Sequence, residues 1–216
     1  MTLPRDFYAR PTLDVARDLL GAMLVHRHGS VVTSGVIVEV EAYIGESDPA
    51  CHAARGRTKR NAPLYGAPGW SYVYLNYGIH SLVNAVTESE GHPAAVLIRA
   101  LAPLDGIATM RRRRLREMKG RRTASAAQLD DASLCRGPGN LPMAMGITLE
   151  EHQLDLSGAR LFVEPGGMPV REIAWGPRIG IRVGTEQPWR GWIAGHPAVS
   201  VRSCRPSGRP SATQTA

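Results

Sequence analysis

Glu39 and Glu41, in the run Glu39-Val40-Glu41-Ala42-Tyr43-Ile44-Gly45, close an apolar stretch and are the side chains best placed to do chemistry. A strand turns alternate residues to one face, so a spacing of two puts both carboxylates on the same side, just before a loop. Two readings stay open from the residues alone: an ion pair with arginines at a strand end, or a general base poised beside a binding cleft. His52, beside Cys51, and His80 would join Glu41 in a set of one carboxylate and two imidazoles. Their spacing matches no short metal motif, and loop histidines more often donate hydrogen bonds than hold ions, so no metal is expected.

Trp70, Tyr72, Tyr74 and Tyr77 cluster around Asn76-Tyr77-Gly78. Aromatic residues usually fill a core, but a tyrosine at a turn tip is harder to bury. On a basic protein it suggests stacking on nucleobases or wedging between them. The chain is basic: 26 Lys and Arg against 19 Asp and Glu give +7 over 216 residues. Arg111, Arg112, Arg113, Arg114, Arg116, Lys119, Arg121 and Arg122 make the densest block, and Arg55, Arg57, Lys59 and Arg60 a second. Either a solvated helix face or a phosphate-binding surface fits such density. Three dispersed cysteines argue against a disulfide framework, and the sequence shows neither a leader nor a spanning apolar run. The expectation is a cytoplasmic protein with a polyanionic partner and no membrane.

These residues need elements to hold them. Helical spacing predicts a helix over Pro11–Leu20, and β-branched runs predict strands at Met23–His26 and Gly35–Glu41 around His28-Gly29-Ser30. Residues 42–69, rich in Gly, Pro and Ala, read as a long functional loop. Strands are predicted at Trp70–Leu75, Ile79–Val86 and Ala94–Ala100, and a basic helix over Leu104–Met118. Short strands follow at Ala159–Val163 and Ile179–Val183, with a Gly-Pro-Gly loop at Gly137–Gly139. One mixed α/β domain, 1–204, is expected, with a disordered tail over 205–216.

Taken in order, the chain resembles the alkyladenine, or 3-methyladenine, DNA glycosylases of the monofunctional vertebrate type, also found in bacteria. The landmarks are Glu41-Ala42-Tyr43 with Gly45 and His52, Arg60-Asn61, Pro68-Gly69, Tyr72-Val73-Tyr74, Tyr77-Gly78 and Asn84. Arg99-Ala100-Leu101 with Pro103 and Gly106, Gly137-Pro138 with Leu141, and Arg178-Ile179-Gly180 complete them. No single motif is specific; their order and spacing from about Phe7 to Val201 carry the resemblance.

The resemblance implies an α+β domain with a curved antiparallel sheet, surrounding helices and a protruding hairpin that enters the DNA minor groove, without cofactor. It implies a monomer acting on damaged double-stranded DNA, flipping out alkylated or deaminated purines of the 3-methyladenine, 7-methylguanine, hypoxanthine and ethenoadenine class and hydrolysing their glycosidic bond, with no lyase step. Glu41 resembles the base that activates water, and Arg99 the arginine that helps to hold it. Tyr43, His52 and Tyr74 resemble the walls around the flipped base, Asn84 the pocket floor, and Tyr77 the residue that fills the vacated stack. Arg57, Lys59, Arg60, Arg111, Arg112, Arg121 and Arg122 would be phosphate contacts. Asn76 and His80 make the hairpin more polar than the apolar tip of mammalian members, and Asn140 stands where the family often has a lysine. A lesion-binding protein without catalysis is the alternative, although such a binder has no need of a buried carboxylate near phosphates.

Overall fold

A computed structural model describes residues 1–118 and 129–200. Two short helices, α1 (Arg5–Tyr8) and α2 (Thr12–Leu19), lead into the strands β1 (Met23–His28) and β2 (Val31–Ile44). Val15, Ala16 and Leu19 are the buried stripe of α2, and the left-handed backbone of Gly21 turns the chain into β1. Gly29 and Ser30 join β1 to β2, with His28 paired to Val31. The hairpin β3 (Ser71–Asn76) and β4 (His80–Val86) follows, then β5 (Ala94–Pro103). Among the described residues three helices come next: α3 (Ile107–Met118), α4 (Asp131–Leu134) and α5 (Asn140–Met145). Strands β6 (Leu161–Glu164), β7 (Ile173–Gly176) and β8 (Arg190–Ile193) close the order.

Every strand pairing is antiparallel, in the order β3-β4-β5-β2-β1-β6, with β7 and β8 branching from β2. β2 is the hub. Its first half pairs with β1, its second half with β5, and Glu39 to Glu41 also pair with β8. The sheet curls into a half-barrel whose hollow holds Leu24, Ile37, Val38, Ile98, Leu101 and residues of α2, α3 and α5, all fully or nearly fully buried. The outer edge of β3 is covered by the segment after a short 3-10 turn at Leu149–Glu151: the Ser71 amide donates to Leu154 O and the Gln153 amide to Ser71 O. Covering the edge satisfies backbone groups that would otherwise recruit another strand.

The predicted elements fall in place with instructive exceptions. β2 runs three residues past its predicted end, so the long loop starts after Ile44 and contains its own 3-10 turn at Ala62–Tyr65. α3 begins at Ile107 because Leu104 still hydrogen-bonds to Ser34, and Gly106 takes a left-handed turn against Val32 and Thr33. No strand forms at Ile179–Val183; those residues are bends, and the strands β7 and β8 lie on either side. Alternating apolar residues there serve to line a cavity rather than to extend a ladder. The predicted tail over 205–216 lies outside the described residues, as do Lys119, Arg121 and Arg122.

Glu39 locks the centre of the sheet. The register of β2 on β5 slips on both sides of Glu39, and Arg99 stands out of the ladder between Ile98 and Ala100. Such a bulge re-aims a side chain, here turning the guanidinium onto Glu39 Oε1 at 3.0 Å. Arg190 Nε, from β8, donates to the same oxygen at 2.7 Å, and the Ser200 amide and hydroxyl donate at 2.7 and 2.8 Å. The carboxylate is fully buried. Burial works against its charge, but Arg99, Ser200 and Arg190 outweigh it and hold the carboxyl below the usual glutamate value. For Glu39 the ion-pair reading is therefore correct.

Glu39→Gln should strip Arg99 and Arg190 of their shared countercharge and destabilise the fold by about 3–5 kcal/mol, read from urea unfolding at neutral pH. Because the folded carboxyl titrates below the unfolded one, this stabilisation is complete above the ordinary glutamate pKa and drains away as pH falls toward the folded value. The wild type should therefore lose more stability than Glu39→Gln between pH 7 and acid.

Candidate active site: a base-sized pocket over a buried carboxylate

Between the β3–β4 hairpin, the end of β2 and the bend at Ile179–Ile181 lies a cavity of about 370 Å3. Tyr43, His52, Tyr74, Tyr77, Asn84 and Arg99 line it, together with Leu97, Pro138 and Ile179 to Ile181. A space of this size, walled by aromatic rings with a few fixed polar groups, suits a flat heterocycle. Among the described residues the sequence-predicted pocket residues are thus gathered in one place, from strands β2, β3, β4 and β5 and two loops.

Glu41 forms the back of this site. It has no exposed surface, and its three partners all line the cavity. Tyr43 Oη donates to Oε2 at 2.8 Å, Arg99 Nη1 lies 3.1 Å from Oε2, and the Ile179 amide donates to Oε1 at 2.6 Å. Burial dominates these contacts and raises the carboxyl above the usual glutamate value; Arg99, the Ile179 amide and the Tyr43 hydroxyl pull the other way without prevailing. One arginine thus bridges two glutamates of opposite character. Glu39 is saturated with donors and held anionic, while Glu41 keeps unused lone pairs and a raised affinity for a proton.

The walls are held from behind. His52 stands edge-on to Tyr74, ring centroids 4.5 Å apart, and its Nδ1 is 2.9 Å from Tyr72 Oη. Packing and the charge of Arg60 lower the His52 pKa, favouring a neutral imidazole. Asn61 folds the loop that carries it, donating to His52 O at 2.8 Å and Gly56 O at 2.9 Å while accepting from the Thr58 amide. Asn84 is buried at the floor, its amide tied to Tyr72 O at 2.9 Å. Cys51 also lines the cavity, but burial pushes its thiol up to about 11, so it stays protonated.

Tyr43 rests on a buried arginine that sequence reasoning noted only as a landmark. Arg178 makes a bidentate pair with Asp48 at 2.6 and 2.8 Å, both side chains wholly buried, and donates to Ala42 O and Gly184 O. Its guanidinium lies 4.7 Å from the Tyr43 ring centroid and 5.1 Å from that of Trp189. Asp48 also caps the turn after β2 by accepting from the Ile44 and Ala50 amides. The Ile179 amide, Arg190 and Ser200 were likewise invisible in sequence, because each acts through backbone geometry or a long-range pair.

At the hairpin tip Tyr77 is 88% exposed and adopts φ 50°, a left-handed conformation costing a non-glycine residue about 1–3 kcal/mol. Leu75 and Ile79 are exposed beside it. The polar residues turn the other way: Asn76 faces the cavity, and His80 packs beside Gly139. The tip is therefore apolar where it meets solvent, against the expectation drawn from Asn76 and His80. Those two residues point inward because strand alternation places them opposite the exposed set.

The basic groups divide. Arg57, Lys59 and Arg60 are exposed, Arg57 stacked 5.4 Å over Tyr65, Lys59 beside it, and Arg60 against Tyr72 and Tyr74, donating weakly to Leu75 O. Arg112 is exposed on α3. Arg111 instead pairs with Asp131 and Leu129 O, Arg113 donates to the carbonyls ending α5, and Arg114 donates to Asn140. Much of this block pins α3 to α4 and α5. Glu41, His52 and His80 do not converge as metal ligands; among the described residues only His26, His28 and Glu151 come together in that way.

Fold and site together define an α+β protein with an aromatic-walled cavity over a carboxylate–arginine centre. The chain belongs to the methylpurine-DNA glycosylase family, whose signature it matches over residues 6–197. This is a family of DNA-repair hydrolases that act on glycosidic bonds. It is 49% identical over 194 residues to a protein of Rubrobacter xylanophilus, covering 89% of this chain and 93% of the relative. A protein of Methanocella arvoryzae is 45% identical over 205 residues, covering 93% and 96%. Another, from Burkholderia lata, is 45% identical over 201 residues, covering 92% and 90%. All three carry the name "putative 3-methyladenine DNA glycosylase". Among the described residues no helix is long and apolar enough to cross a membrane.

Replacing Arg178 with Met should strand the Asp48 carboxylate and cost about 3–5 kcal/mol. The double variant with Asp48→Asn should recover much of that loss, and a thermal-unfolding double-mutant cycle reads the coupling.

Proposed function

We propose that the chain excises damaged purines from duplex DNA by flipping the nucleotide into this cavity and hydrolysing its glycosidic bond, with Glu41 as the base. The observation that carries the proposal is Glu41 itself, a buried carboxylate of raised pKa whose every partner lines an aromatic pocket. An alkylated purine is a good leaving group, so the bond breaks with positive charge growing on the sugar. A carboxylate beneath it stabilises that charge and takes the proton of the attacking water. Arg99 orients the carboxylate and offers an N–H toward the same water.

Tyr43, His52 and Tyr74 sandwich the base, and Asn84 disfavours the exocyclic amine of normal guanine by misfit. Tyr77, with Leu75 and Ile79, fills the gap left in the duplex and offsets part of the few kcal/mol that unstacking costs. Arg57, Lys59, Arg60 and Arg112 hold phosphates without reading sequence. Substrates of the 3-methyladenine, 7-methylguanine, hypoxanthine and ethenoadenine class fit a flat pocket of this volume. The chemistry asks for no lyase nucleophile, and the product is an abasic site. The protein acts as a monomer in this reading.

The wild type, in EDTA, should leave alkali-labile sites in duplexes bearing hypoxanthine, ethenoadenine or methyl adducts. Glu41→Gln should bind the same duplexes and leave none; tight, salt-sensitive lesion binding by the wild type without any breaks would instead make the chain a binder. The rate should fall as pH drops through the raised pKa of Glu41, because the carboxylate must be unprotonated to act. Tyr43→Phe keeps the ring but removes a hydrogen bond that favours the anion, so its acid limb should move to higher pH. Tyr77→Ala should weaken lesion binding while leaving thermal stability intact, since the ring it removes is exposed and the left-handed backbone is as costly for alanine as for tyrosine.

A further inference from the structure

His26, on β1, is 1% exposed and sits where no glycosylase step reaches it. Its Nδ1 lies 3.0 Å from Met145 O. A carbonyl only accepts, so Nδ1 carries a hydrogen and, in the neutral ring, Nε2 presents a bare lone pair. That lone pair has no hydrogen-bond partner and lies 3.3 Å from Glu151 Oε1, itself an acceptor on a buried side chain. Two acceptors facing one another in a buried site repel unless a cation lies between them. His28, two residues along the same strand and exposed, brings a third donor: one ligand atom from each of His26, His28 and Glu151 lies within 4.8 Å of the others.

We infer that His26 Nε2, His28 and Glu151 form a binding site for a zinc-class divalent ion, completed on the solvent side by water. Two imidazoles and a carboxylate are a donor set that zinc accepts. The bond from Nδ1–H to a backbone carbonyl is the outer-shell contact that fixes a ligating histidine. Zinc–ligand distances of about 2.0–2.2 Å put tetrahedral donors roughly 3.3–3.5 Å apart, which the His26–Glu151 pair already matches and His28 reaches by side-chain rotation. The far side of the carboxylate is prepared too, since Glu151 Oε2 accepts from the Thr148 amide at 2.7 Å. Arg160 Nη2 touches Glu151 Oε1 and, at 2.8 Å, Glu150, and approaches His28 Nδ1. It competes for the site and, being 40% exposed, can withdraw to Glu150 when a metal enters. The ion would rivet β1 to the 3-10 turn at Leu149–Glu151, whose continuation covers the edge of β3, and so close the half-barrel across its open side.

The full chain, stripped with chelator, would be titrated with Co2+ as a spectroscopic probe and with Zn2+ in competition. The expected result is one equivalent of tetrahedral Co2+ absorbance, displaced by Zn2+, and a raised melting temperature with either ion. His28→Ala, at an exposed position, should weaken binding at least about tenfold, as should His26→Gln. Arg160→Gln should tighten binding by removing the competitor, an effect that adventitious surface histidines would not show. His52→Ala and His80→Ala should leave the spectrum unchanged. Absence of stoichiometric binding, meaning that a proton alone bridges His26 and Glu151, would overturn the assignment. So would a spectrum unmoved by His28→Ala or abolished by His52→Ala.

Discussion

The bond network through Arg99 is the constraint on which the remaining structure depends. One guanidinium, thrown out of the β5 ladder by a register slip, satisfies Glu39 with its Nε and Glu41 with its Nη1. An unpaired charge in this position would cost several kcal/mol, so the pairing dictates where β5 and β8 must lie against β2. The two carboxylates then diverge through their other neighbours. Ser200 and Arg190 complete the shell around Glu39, whereas Glu41 receives a single backbone amide and the Tyr43 phenol. Two glutamates two residues apart thereby differ in their hold on a proton, Glu39 kept below the usual glutamate value and Glu41 raised above it.

The same logic explains the reach of the loops. The loop after β2 is long because it must carry His52 over the aromatic pair Tyr72 and Tyr74, yet it is not loose. Asn61 gathers its first half and Asp48 anchors its start to Arg178, so a segment without regular structure is fixed by a few buried polar contacts. The bend at Ile179–Ile181 similarly spends backbone groups on the site, offering an amide to Glu41 in place of a ladder bond.

How much of this was legible in the sequence follows from the range of each interaction. Periodicity located α2 and the strands up to β5, because burial on one face leaves a local pattern. The hairpin turn was legible from Asn76-Tyr77-Gly78, and the gathering of Tyr43, His52, Tyr74, Asn84 and Arg99 around one cavity from their resemblance to a known order of motifs. Beyond residue 170 the reading failed: Ile179–Val183 alternates like a strand but forms bends that line the cavity, and the strands β7 and β8 on either side went unseen. Arg111 and Arg114 looked like free charge because their partners, Asp131 and Asn140, lie 20 and 26 residues away. The unpartnered nitrogen of His26 has no sequence signature at all, since it arises from Met145 and Glu151 meeting one strand in space.

The double attachment of Arg99 has an evolutionary side. A substitution there removes the countercharge of Glu39 and a contact to Glu41 together, so folding alone resists drift at that position. His52 and Ile181 bear no such burden; each touches the cavity from outside the strands. Under the proposed reading, lineages are free to retune which damaged bases they accept by changing these wall residues, while the centre that breaks the bond stays frozen.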